Sequence, residues 1–335
     1  MNRLASVTRF SSLSTQLIHI AVGLCLLITC CSTFASEKSD KILIIRPDNP
    51  QFALISKGIK ETLGQEVDAL DVVLASDQSH LSMAKIMAHN QPKSVVLMDN
   101  AAINAYAHYQ KAYPKAILPP SIVIGTLFAK KVMENIPNNI IVLYETPAVT
   151  SLVDLRKTVS TPIKKVGVIY RESEEYTFQS QHSFCQSENI GLIGFPVKDD
   201  VSIRALKKAL KQMTKSDLDA VWVMNDTTLL SKILIQEAWI PKLKYYEKPV
   251  VVGIPTLIKS QFTFGDYTVY PDHFEIGYQA GNILFDLMEN GWLLESSDIQ
   301  PPISIKKGIN LHLLNKKSIS VKKQYLPEFD LVITQ

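Results

Sequence analysis

Beyond its first forty residues the chain repeats one pattern, a short continuous run of apolar residues followed by an amphipathic segment. The runs at 42–45, 95–98, 122–124, 140–144, 166–170, 220–224 and 250–254 are rich in Val and Ile and apolar throughout rather than alternating. Strands covered on both faces have this composition, and such strands belong to parallel sheets. The intervening segments have a helical period. Ile203, Leu206, Leu210 and Met213 share one face, with Lys207, Lys208 and Lys211 on the other. Gly277, Ala280, Gly281, Leu284, Leu287 and Met288 repeat in the same way near the C-terminus. Ser202 and Asp272 stand where N-caps belong, and Gly64 and Gly291 where helices stop. Strands alternating with helices predict an α/β fold built on parallel sheets.

At 335 residues the chain is long enough for two domains of ordinary size. One strand–helix series runs from about Lys41 to Tyr144. The stretch Glu145-Thr146-Pro147 and a helix over 148–160 follow, and a fresh series starts at Lys164. The pattern predicts two Rossmann-like, doubly wound lobes joined by a hinge, with one continuous α/β sheet as the alternative.

The N-terminal segment follows other rules. It carries Arg3 and Arg9 and no acid, then an apolar run over 18–28, then Thr33-Phe34-Ala35-Ser36. A basic start, a short apolar middle and small residues before the cut describe a secretory signal peptide ending at Ala35. The apolar run falls short of the roughly 20 residues of a membrane-spanning helix. An uncleaved anchor is one alternative. A lipoprotein attached through Cys30 is the other, although Thr29 stands where such motifs carry a smaller residue. Cleavage would leave a nearly neutral chain whose single cysteine, Cys185, excludes an internal disulfide despite export to an oxidising compartment. A net charge of +3 for the whole chain shows no footprint for nucleic acid or for an acidic membrane surface.

Catalytic signatures are missing. There is no G-x-S-x-G elbow, no H-E-x-x-H pair and no phosphate-binding G-x-x-x-x-G-K-[ST] loop. His80, His89, His108, His182, His273 and His312 are not spaced to share a helix face as metal ligands. Cys185 reads as a small buried hydrophobe, the Glu172, Glu174 and Glu175 cluster as a solvated loop, and the lysines over 207–215 as a solvated helix face. Gly277 and Gly281 read as close packing of a helix on a sheet. No enzyme activity, cofactor or metal is therefore expected.

In open α/β sheets, ligands bind beyond the carboxyl ends of the strands. Reading those ends in order gives 46–52, 99–102, 125–128, 171–173, 225–228 and 255–256, loops of small polar residues with a few aromatics. Both halves offer the same kind of loop, which suits a small ligand held by several hydrogen bonds and a stacking face.

Several of these segments have a family look. Val166-Gly167-Val168-Ile169-Tyr170 follows a lysine pair, Ala220-Val221-Trp222-Val223 leads into Asn225-Asp226-Thr227, and Lys248-Pro249-Val250 opens a short strand. The most specific piece runs from Asp272 through His273, Phe274, Glu275, Ile276, Gly277, Tyr278, Gln279 and Ala280 to Gly281. Together they resemble the ABC-transporter substrate-binding proteins of the tryptophan/tyrosine-binding type, over most of 41–335. The resemblance implies a type I periplasmic binding protein fold whose two lobes close on a ligand. Lobe 1 would comprise 41–145 plus 267–300, and lobe 2 146–266 plus 301–335. Glu145-Thr146-Pro147 and the stretch 264–271 would be hinge crossovers.

Family ligands are amino-acid-like or aromatic carboxylates, held by loop hydroxyls and helix N-termini of the first lobe. Here the matching segment is Asp99-Asn100-Ala101-Ala102, in which two hydroxyl positions are alanine and Asp99 would repel a carboxylate. Asp226 is placed to accept a ligand ammonium. The expected ligand contacts are Asn49, Phe52, Asn100, Thr126, Arg171, Asn225, Asp226 and Thr227. The implied role is a monomeric, extracytoplasmic binding protein that delivers its ligand to an ABC permease. The alternative is a sensing module that presents the closed form to a membrane receptor kinase or cyclase.

Overall fold

The computed structural model describes residues 40–74, 80–126, 129–259 and 264–335. The signal peptide and Cys30 readings lie outside them. The first series contains β1 (Lys41–Pro47), α1 (Pro50–Leu63), β2 (Asp68–Leu74), α2 (His80–Asn90), β3 (Ser94–Met98), α3 (Asp99–Ala112), β4 (Ser121–Ile124), α4 (Ala129–Asn135) and β5 (Asn139–Val142). The second contains α5 (Ala148–Thr158), β6 (Lys165–Arg171), α6 (Glu175–Ser187), β7 (Gly191–Val197), α7 (Ile203–Lys215) and β8 (Ala220–Val223). A helical run α8 over 232–243, with a π turn at Ile235–Trp239, leads to β9 (Val250–Val252) and β10 (Tyr267–Pro271). The chain ends with α9 (His273–Glu289), β11 (Asp298–Gln300), β12 (Ile305–Asn310), α10 (Leu311–Lys316) and β13 (Leu331–Ile333).

Two sheets result. The first has the order β11-β5-β4-β3-β1-β2 and the second β13-β12-β10-β9-β8-β6-β7. Pairing is parallel throughout, except that β12 runs antiparallel to β10. The expected α/β architecture of two doubly wound sheets is therefore present. In each sheet the winding reverses beside the opening strand, between β1 and β3 and between β6 and β8, where such folds place a ligand crevice.

The period of two along each strand sorts the core. In the first sheet Ile42, Ile44, Val96 and Ile122 face α1 and α9, whereas Leu43, Ile45, Val95 and Val123 face α2 and α3. In the second, Val166, Val168 and Trp222 pack against α5 and α6, and Ile169, Val221 and Val223 against α7 and α8. Edge strands β2 and β7 bury only part of their length, so they lack the continuous apolar run that marks the central strands.

Three stretches cross between the sheets: 143–147 after β5, Asp272 after β10, and 301–304 after β11. This corrects two expectations. The expectations place Tyr267–Pro271 in the first lobe and 264–271 in a hinge, but β10 pairs with β9 and β12 inside the second sheet, so the return to the first begins at Asp272. The Gly277–Gly281 face also packs on a helix rather than on a sheet. A Cβ on Gly277 would stand 2.1 Å from the Ile55 carbonyl oxygen, and one on Gly58 2.3 Å from that of Phe274, so α1 and α9 cross backbone to backbone. Among the described residues no helix is long and apolar enough to cross a membrane.

Candidate ligand-binding site

A cavity of about 340 Å³ lies where the carboxyl ends of both sheets meet. Each wall segment follows from local chemistry. After β1, the Asn49 side chain accepts the Gln51 N–H at 2.8 Å and caps α1, which puts Gln51 and Phe52 on its first turn, facing the cavity. After β4, Gly125 has φ +76°, and a Cβ there would lie 2.6 Å from the Phe52 ring, so only glycine leaves room for that ring. After β9, Gly253 gives the same clearance to the Asn225 side chain, 2.5 Å from where a Cβ would stand.

A row of rings runs along the wall. Phe52 stacks on Tyr144 with centroids 5.6 Å apart, and Tyr144 on His273 at 5.2 Å. Tyr270, at the end of β10, lies 6.4 Å from His273. The Tyr144 hydroxyl donates to Gln51 Oε1 at 3.1 Å and meets His273 Nε2 at 2.8 Å. A hydroxyl has one proton to give, so the imidazole donates through Nε2. Burial holds His273 below its ordinary pKa, with Lys306 adding to the effect and Asp272 opposing it, so the ring is neutral at pH 7. Burial first, and then the Asp99 carboxylate, push the Tyr144 phenol up, so it stays protonated.

The acids are arranged differently in the two halves. Asp226 is 1% exposed and its carboxylate is fully engaged by its own lobe. Oδ2 takes Arg171 Nε at 2.7 Å, and Oδ1 accepts the N–H groups of Thr228 and Leu229 at 2.8 and 3.2 Å. Asp99 opens α3 with φ +70°, and its Oδ1 accepts the Asn100 N–H at 2.5 Å. It also lines the cavity.

Of the expected contacts, Phe52, Asn100, Asn225, Asp226 and Thr227 line the cavity. Asn49 stands behind it as a helix cap. Thr126 is 1% exposed with its hydroxyl 3.5 Å from Asn100 Oδ1, and Arg171 sits behind Asp226. Gln51 and Asp99 lie in the strand-end loops read from the sequence but not among the expected contacts, and sequence reading missed Tyr144, Tyr270 and His273 as lining residues. The strand-end rule would have found Tyr270 had β10 been counted as a strand, and Tyr144 had the run at 140–144 been ended at Val142.

A family model described as ABC transporter substrate binding protein matches residues 48–332. The chain belongs to that family. It is a class of binding proteins rather than enzymes, normally extracytoplasmic. No curated protein matches this substrate-binding protein by sequence. Among solved structures it is similar to the ABC domain in complex with L-Trp from Streptococcus pneumoniae, at 20% identity and a TM-score of 0.59, covering 88% of this chain and 100% of that one. It is also similar to a ligand-free, open substrate binding protein with adhesive properties from Clostridium difficile, at 13% identity and a TM-score of 0.63, with the same coverage. At such identities the likeness is one of fold, the type I periplasmic binding protein fold.

The first crossover of this substrate-binding protein carries Glu145, whose charge is opposed by a second acid, Glu174. Burial, and then the nearby Glu174, push Glu145 up to about 7. Glu174 is 2% exposed and lies 3.9 Å from Arg171, which corrects its reading as part of a solvated loop. Among the described residues no three His, Cys, Asp or Glu side chains gather as a metal ion would require.

Proposed function

We propose that this protein, once exported, captures a small solute with an aromatic or planar face between its two sheets and delivers it to an ABC permease. The observation that carries this reading is the wall itself. Phe52, Tyr144 and His273 from the first half and Tyr270, Asn225 and Thr227 from the second line one cavity. Its volume of about 340 Å³ is that of a pocket for a molecule of one or two rings. A solute that touches both halves only when they approach favours the closed state by its extra contacts there, which is how a clamp reports occupancy to a permease. The aromatic row supports a ring-bearing ligand, as does the L-Trp in the similar Streptococcus pneumoniae structure.

The test is a thermal-shift screen of the purified protein against aromatic amino acids, aromatic amines, small carboxylates and purines. A ligand at 100 times its Kd adds about 2.7 kcal/mol of stability. The expected result is stabilisation by a ring-bearing solute that Phe52→Ala removes. A screen in which no solute raises the melting temperature overturns the reading.

A further inference from the structure

We propose, building on the reading of the cleft as a solute site, that its ligand is an organic cation, a ring-bearing molecule with a protonated amine, received by Asp99 and the aromatic row. Four observations converge. First, among the described residues lining the cavity none is Lys or Arg, and the neighbouring guanidinium, Arg171, is held by Asp226 at 2.7 Å. Second, three of the backbone N–H groups at these strand ends, of the kind that would cradle a carboxylate, are taken by the protein's own acids. Asp99 takes that of Asn100, and Asp226 takes those of Thr228 and Leu229.

Third, two acceptors stand at the cavity to match a ligand N–H. Asp99 lines the cavity with no cation paired to it among the described residues, and Asn225 holds its side-chain Oδ1 buried without a hydrogen-bond partner. A buried acceptor left without a donor is costly, and a ligand N–H would satisfy it. Fourth, Phe52, Tyr144 and Tyr270 line the same cavity, and aromatic rings attract positive charge. The Asp99 carboxylate acts on the Tyr144 phenol, so acid and rings serve the same space. A ligand carboxylate would instead meet an acid and a neutral imidazole.

Calorimetric titration of the purified protein with tryptamine, indole and indole-3-propionate isolates the charge, because the three share one ring system. Tryptamine is expected to bind about tenfold more tightly than the propionate. Asp99→Asn should weaken tryptamine by about tenfold and leave indole little changed. Asn tolerates the positive φ and keeps an oxygen for the Asn100 N–H, so the variant should retain the wild-type unfolding transition. The cation assignment is overturned, with the solute reading intact, if the propionate binds as well as tryptamine or if Asp99→Asn leaves their ratio unchanged. If none of the three binds, the cation assignment falls, and the solute reading stands or falls with the wider thermal-shift screen.

Discussion

Two carboxylates at equivalent strand ends have opposite roles because their neighbours differ. Asp226 is buried, saturated by a guanidinium and two N–H groups, and holds the turn after β8 in shape. Asp99 makes one local hydrogen bond and otherwise faces the cavity. Glu145 is a third case, and its environment predicts a pH dependence. Its pKa is raised from 4.5 to about 7 by burial and by Glu174, so between those values the folded protein binds a proton that the unfolded chain has released. Stability from this group is therefore present at low pH and is lost as pH rises from about 4.5 to about 7. His273 acts in the opposite direction: its lowered pKa costs stability as pH falls below the ordinary histidine value. Glu145→Gln removes the first slope and leaves the second. Urea midpoints measured at several pH values should show the variant gaining on the wild type as pH rises through that window and holding a constant lead above it. A lead that does not change with pH would show that Glu145 does not titrate there.

At the level of elements, the return of the chain to the first sheet depends on one helix pair. The Asp272 side chain caps α9 by accepting the Phe274 N–H at 3.0 Å, and Gly277 then meets Gly58 with no side chain between the backbones. This crossing seats α9 on the first sheet, where Ile276, Ala280 and Leu284 fill the core under Ile42 and Val96. It also holds His273, the first residue of α9, against Tyr144. Gly277→Ala would force a methyl into the Ile55 carbonyl, and the helices would have to separate. The expected cost is about 1–3 kcal/mol in denaturant unfolding, with weakened ligand binding because His273 moves with its helix. Unchanged stability would mean that the pair slides apart freely. At the third crossover, the Gln279 side-chain nitrogen donates to the Pro301 carbonyl at 3.1 Å and its oxygen accepts the Ile303 N–H at 3.3 Å, so α9 steadies two of the three connections.

For the whole molecule, a clamp predicts a change of shape on binding. Tryptamine at saturation should reduce the radius of gyration measured by small-angle X-ray scattering, and Phe52→Ala should abolish the reduction at the same concentration. An unchanged radius with tight binding would place the ligand in a cleft that does not close. The architecture at this scale was legible in advance, because strands buried on both faces are written as unbroken apolar runs and helix ends carry Ser202, Asp272 and Gly64 at their caps and stops. Half-buried edge strands such as β2 and β7 leave no such run. The strand-end rule likewise reached Phe52, Asn100 and the turn at 225–227, since local chain direction settles where those residues stand. Which of them face the cavity, and what charge they present to it, was decided only by tertiary structure. Asp226 and Asp99 look alike in the sequence, and only folding brings Arg171 to one and leaves the other beside Tyr144, because charge compensation depends on neighbours distant along the chain.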